Sequence, residues 1–232
     1  MQKARFQNVL TVTAVLYALA CLAAGGYVLL SGGPVVRGLG GLAGLLFLPA
    51  FPLLRWVFRL KKAPLMDAVL LIFLFLAFIL GTVLGWYSYI WWFDLAVHCL
   101  SGFVACALGL CLFWMVREDK RAPMGRDALA ASGFGFFFSQ FVAGLWEMLE
   151  YLGFLLTGHD SQNVAATGVG DTMEDMLICL AGSLVMTAAV WLHLKGKRRS
   201  FLVLPAEEFY RANYGPEGGE SRANGADEAA AP

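Results

Sequence analysis

WWFDLAVHCLSGFVACALGLCLFWMV, residues 91–116, decides the fold. After Asp94 and His98 it runs from Cys99 to Val116 without a charged residue, and its apolar positions do not alternate with polar ones. Such a run is long enough to cross a bilayer as a helix, whereas a barrel strand would alternate. Working outward, five comparable runs appear at about Asn8–Leu30, Val36–Val57, Asp67–Ile90, Leu129–Leu156 and Thr172–Leu194. With Asp94–Val116 they make six predicted spans.

Composition agrees. Hydrophobic residues are 59% and charged residues 15% of the chain, and mean hydropathy is +0.67, beyond a soluble globular domain. The expected fold class is all-α, a polytopic membrane helix bundle with about six transmembrane helices. It occupies residues 1–199, with a motif-bearing core at about 86–190. Residues 200–232 form the tail. From about Ala206 it is Gly-, Ala- and Glu-rich and is expected to be largely disordered in the cytoplasm.

Orientation follows from the basic residues. Lys3 and Arg5, then Arg55, Arg59, Lys61 and Lys62, then Arg117, Lys120, Arg121 and Arg126, then Lys195, Lys197, Arg198 and Arg199 all fall on one side of a six-span chain. Only Arg37 falls on the other. The positive-inside rule puts both termini in the cytoplasm of a bacterial inner membrane.

The acids are distributed differently. No Lys or Arg occurs between Lys62 and Arg117 or between Arg126 and Lys195, yet Asp94, Glu147, Glu150, Asp171, Glu174 and Asp175 lie in or at the ends of spans four to six. Acids at membrane depth must be protonated, hydrated or paired with a cation. In the six-span topology they gather at the extracytoplasmic ends of the three helices. The pairs Asp94/His98 and Asp171/Asp175 are four residues apart, and Glu147/Glu150 three apart, so each pair shares a helix face. Asp94, His98, Glu147, Glu150, Asp171 and Asp175 are thus the candidate metal ligands. Mostly oxygen donors with one imidazole nitrogen suit Mg, Mn, Fe or Zn without choosing among them.

Plainer readings compete. Asp94 and Asp171 stand where helices begin, where acids serve as caps and dipole partners. Glu147 and Glu150 escape that explanation, because they sit toward a helix C-terminus. Glu174 reads as water-facing, and His159 and Asp160 as solvated loop residues. Ser101, one turn from His98, reads as a packing serine. Cys21, Cys99, Cys106, Cys111 and Cys179 all lie within spans and lack CxxC spacing, so they read as reduced core residues.

The runs WWFDLAVHCLSG, GLWEMLEYLG and GDTMEDMLICLAG resemble the three motif segments of the YjdF-like bacterial inner-membrane proteins, which are distantly similar to the VanZ-like membrane family. The resemblance covers roughly residues 86–190. It implies that Asp94, His98, Glu147, Glu150, Asp171, Asp175 and Gly182 hold motif positions. It names no settled activity, although VanZ-like proteins are associated with glycopeptide resistance at the cell surface. Cys179 departs from the pattern, standing where such proteins often carry Asn.

Other chemistries lack their residues. The chain has no GxSxG, HExxH or Walker A motif, and no arginine near the acids to clamp a phosphate. Nucleic-acid binding finds no support, because the basic residues follow topology. Gly40/Gly44, Pro49 and Pro52 in span two and Gly81/Gly85 in span three fit close packing and kinks. The basic start and apolar run of span one also fit a signal peptide, but continuation to Leu30 favours a retained span. Two functional classes follow, with the lipid bilayer as surroundings in both. In one, a metal-dependent enzyme acts on an envelope lipid or precursor. In the other, the acids serve a cation- or proton-coupled transporter. A structural metal site in an envelope accessory protein is a further alternative.

Overall fold

The computed structural model describes residues 2–119, 126–158 and 160–215. Lys120, Arg121, His159 and the tail from residue 216 onward, each given a role above, lie outside the described residues. Among the described residues there is no strand. Six helical segments are long and apolar enough to cross a membrane: Ala4–Leu30, Val35–Val57, Pro64–Val83, Phe93–Val116, Arg126–Thr157 and Gly170–Leu194. The chain divides into two compact units.

The first unit comprises residues 1–85, 114–122 and 204–232. Helix α1 (Gln2–Leu30) presents Leu10, Tyr17, Cys21, Ala24 and Val28, an inward stripe at helical spacing. Against it pack Ala68 and Leu71 of α4 (Pro64–Leu74) and Ile79 and Val83 of the π-helical stretch that continues it over Phe75–Val83. The second span is α2 (Val35–Ala43), a 3-10 turn at Gly44–Leu46, and α3 (Phe47–Val57). Pro49 has no N–H to offer the Leu45 carbonyl, so the helical ladder is interrupted there and the preceding turn tightens. Tyr17 Oη donates to the Gly44 carbonyl at 3.2 Å, bonding this break to α1. Gly41 and Gly44 make the close approaches, whereas Gly40 faces open space.

The third span ends earlier than the sequence reading of Asp67–Ile90. Gly85 has φ +79°, a conformation that costs glycine little and stops the helix. The following residues form a separate short helix, α5 (Trp86–Tyr89).

A second difference lies in the tail. Residues 204–214, expected to be disordered from Ala206, form helix α10 (Leu204–Tyr214), with Pro205, Ala206, Phe209 and Asn213 buried. Glu208 Oε2 accepts from the Leu65 N–H at 2.7 Å, capping the start of α4 from a distant part of the chain. Asn213 Oδ1 accepts from the Lys61 N–H at 2.7 Å, and Tyr210 packs on Trp114 with ring centroids 4.9 Å apart. These backbone donors and apolar contacts offset the segment's polar composition.

The second unit comprises residues 86–113 and 123–203. It holds α5, α6 (Phe93–Val116) as far as Phe113, α7 (Arg126–Thr157), α8 (Val164–Thr167), α9 (Gly170–Leu194) and a 3-10 turn at Phe201–Val203. α6 and α9 run parallel and touch backbone to backbone. A Cβ on Gly102 would collide with the Cys179 carbonyl, and one on Gly182 with the Cys99 carbonyl. α7 runs antiparallel to both, with Gly135 against Cys106 and Gly109. Hydroxyls bind the three helices together: Ser139 and Ser183, both fully buried, lie 2.7 Å apart, and Gln140 Nε2 donates to Ser183 at 2.9 Å. Ser101 behaves as read, donating to the His98 carbonyl at 2.7 Å and facing the Cys179 thiol at 3.6 Å.

Candidate metal centre

The close crossing of α6 and α9 determines what happens at their N-terminal ends. His98 lies one turn before Gly102, and Asp175 one turn before Cys179, so the contact that joins those two carries both polar side chains to one place. One ligand atom from each of Asp94, His98 and Asp175 lies within 4.8 Å of the others. His98 Nε2 stands 3.4 Å from Asp94 Oδ1 and 3.7 Å from Asp175 Oδ2.

Asp175 is the informative member. It is 4% exposed, and its carboxylate accepts no hydrogen bond from the described residues, with His98 as its ion-pairing neighbour. An acid at this depth must be protonated, reached by water or met by a cation. Two carboxylates and one imidazole, converging from two helices whose spans contain no Lys or Arg, form a donor set suited to a divalent cation.

The other three candidates surround this group without joining it. Glu147 is buried, 6% exposed, and lies within electrostatic range of His98 and Asp175. Gln162, in the α7–α9 connection, donates from Nε2 to both the Glu147 carbonyl and Glu147 Oε2, each at 3.0 Å. Glu150, three residues on, is half-buried and accepts from Trp146 Nε1 at 3.1 Å. Three residues leave the two side chains about 60° apart around the helix, so neighbours on other elements decide that Glu147 is buried and Glu150 only half-buried. Asp171 accepts from Asn163 Nδ2 at 3.2 Å, tying the connection to the start of α9. It makes no side-chain cap for that helix.

Glu174 is exposed, as read. Asp160 receives the Val164 and Ala165 N–H groups, both at 2.9 Å, and so organises the connection as a turn cap. Cys179 is buried one turn below Asp175 and outside the ligand group.

Sequence reasoning passed over two residues. Gln162 carries no charge and stands in a Gly-, Asn- and Thr-containing loop, so no spacing rule marks it. Tyr87, on α5, packs against Phe93 with ring centroids 5.4 Å apart and the rings tilted by 58°. Its hydroxyl is held in the protonated form by burial first, and then by the nearby charges of Asp94, Glu150 and Asp175. Its only sequence signal was membership of the aromatic run before Asp94.

A polytopic α-helical membrane protein with an Asp–His–Asp cluster at the common end of two parallel helices is the class these observations define. The chain belongs to the family described as predicted membrane protein (DUF2238), which matches residues 10–196. That match runs from within α1 to just past α9 and includes all six candidate ligands. No curated protein and no solved structure matches the chain at a significant level.

Proposed function

We propose that Asp94, His98 and Asp175 hold one divalent cation, and that the protein uses it in chemistry on an envelope lipid or lipid-linked precursor. The observation that carries the reading is Asp175, a carboxylate 4% exposed that accepts no hydrogen bond among the described residues and lies with His98 and Asp94 within ligand-sharing distance. The basic residues flanking the spans support an orientation with both termini in the cytoplasm of a bacterial inner membrane. In that orientation the site opens at the extracytoplasmic end, where lipid-linked substrates are available. The resemblance of the motif runs to YjdF-like and VanZ-like proteins supports an envelope role.

A bound cation would supply Lewis acidity toward an ester or phosphoryl oxygen, or lower the pKa of a bound water. The chain's own residues have simpler tasks. Asp94, His98 and Asp175 would bind the ion, Glu147 would stand as an adjacent carboxylate base, and the Tyr87 hydroxyl would donate a hydrogen bond to an oxygen of the bound molecule.

The competing reading is a cation- or proton-coupled transporter, and the polar column below the site is what favours it. Ser183 and Thr187 continue from Cys179 at one-turn intervals along α9. Their protons, however, are donated to the carbonyls of Cys179 and Ser183, at 2.8 and 2.7 Å, which supports helix-to-helix adhesion over conduction.

Elemental analysis of detergent-purified protein, alongside Asp175→Asn and His98→Gln, tests the site. Near-stoichiometric metal in the wild type, lost in both variants, is the expected result. Equal metal content in all three proteins would sink the cage.

A further inference from the structure

Beyond α9 the chain carries a cluster of charge that the cation reading does not use. Lys195, Lys197, Arg198 and Arg199 fall within five residues, all exposed, and no Asp or Glu occurs between Asp175 and Glu207. The spanning segment Gly170–Leu194 stops one residue before them. Four cations therefore stand at the depth of a bilayer's headgroups.

The segment is folded back in a defined way. Gly196, at φ +67°, reverses the chain. Its N–H donates to the His193 carbonyl at 2.9 Å, and the Lys197 N–H reaches the Leu192 carbonyl at 3.1 Å, the two bonds of a Schellman closure. Further on, the Ser200 N–H donates to His193 Nδ1 at 3.3 Å, and Val203 is buried. Phe201 lies between these two anchors and is nonetheless 77% exposed.

Lys195 and Lys197 are gathered on a single side chain. Their Nζ atoms lie 4.6 and 5.8 Å from the centroid of the Trp191 ring, both within cation–π range. Like charges drawn to one ring repel each other, and the end of the helix opposes them with only a partial negative charge. Elsewhere a carboxylate answers the cation: Asp67 meets Arg55, Asp119 meets Arg117, and Glu207 meets Arg211. Among the described residues none of Lys195, Lys197, Arg198 and Arg199 has such a partner. At a membrane boundary the anion at hand is a phospholipid phosphate.

We propose that Lys195 and Lys197, gathered by Trp191, hold the phosphate of an acidic phospholipid, with Arg198 and Arg199 strengthening the field and Phe201 contacting the lipid's apolar part. Basic residues that serve topology alone need neither the shared ring nor the pinned turn. The inference is independent of the cation site and needs only that α9 cross a bilayer.

Native mass spectrometry of the detergent-solubilised full chain, offered phosphatidylglycerol and phosphatidylcholine in equal amounts, tests it. The wild type is expected to retain phosphatidylglycerol in preference. A basic residue near an acidic surface contributes about fivefold in affinity, so Lys195→Gln/Lys197→Gln should bind phosphatidylglycerol about 10–30-fold more weakly. Trp191→Leu keeps both charges and removes the ring, and should bind it about two- to fivefold more weakly. Arg211→Gln, which removes an exposed cation already paired with Glu207, should leave retention unchanged. Equal retention of the two lipids by the wild type would overturn the proposal, as would undiminished phosphatidylglycerol binding in the double variant. A fivefold loss in Arg211→Gln would also overturn it, because net charge alone would then account for the effect.

Discussion

Gly182 of α9 lies so close to the carbonyl of Cys99 in α6 that a Cβ could not be accommodated there. Gly102 of α6 stands in the same relation to the Cys179 carbonyl. The two glycines let parallel backbones meet, and the polar residues just before them meet in consequence. The Asp94–His98–Asp175 cluster is therefore a product of helix packing as much as of its own charges.

Gly182→Val is accordingly expected to cost about 1–3 kcal/mol, the usual range for overpacking a tight contact, and to separate His98 from Asp175. Thermal unfolding in detergent measures the first effect and bound metal the second. Gly144→Ala is the control, because a Cβ there meets nothing within 4 Å. It should be neutral or slightly stabilising. Equal unfolding temperatures for Gly182→Val and wild type would show that the helices are held by other contacts.

Glu208 gives a pH dependence with a definite sign. Burial raises its carboxyl above the usual glutamate value, opposed by the N–H bonds it accepts from Leu65 and Met66. The folded state then binds the proton more tightly than the unfolded one. The contribution to docking of α10 is fully present below the unfolded value of about 4.3, and is lost as pH rises through the higher folded value. Hydrogen exchange at the Leu65 and Met66 amides should therefore show protection, corrected for intrinsic rates, falling from pH 4 upward. Glu208→Gln should flatten that slope while retaining the cap, and Glu208→Ala should cost about 1 kcal/mol. A rising slope in the wild type would reverse the assignment.

The spans were legible because hydrocarbon imposes a length and a polarity on each helix: Asp94–Val116 as read differs from Phe93–Val116 as found by one residue. Asp94 and His98 were legible for a similar reason, as a one-turn spacing on a known helix fixes a shared face. Glu147 and Glu150 show where this stops. Three residues apart they share a broad face, yet one is buried on Gln162 and the other turns to Trp146. The difference is set by neighbours on other elements, which spacing cannot supply. The tail failed by dilution. Ala206, Phe209 and Asn213 fall at helical intervals, but the Gly- and Ala-rich stretch that follows dominates the composition. The partners that stabilise them, at Lys61 and Leu65, lie far away in the chain.

Arg55 and Asp67 carry the last prediction. Arg55 Nη1 lies 2.6 Å from Asp67 Oδ2, with side chains 19% and 11% exposed, linking the end of α3 to the start of α4 across the intervening connection. Removing one partner leaves the other charge poorly solvated, whereas replacing both with apolar groups removes the desolvation cost along with the attraction. Asp67→Leu alone is expected to destabilise by roughly 3 kcal/mol. Arg55→Met/Asp67→Leu should recover most of that loss, so the double-mutant cycle should show strong coupling. Unfolding of the four proteins in one detergent measures it. Strictly additive losses would mean that each side chain acts through its own surroundings, and that the pair contributes no coupling between the second and third spans.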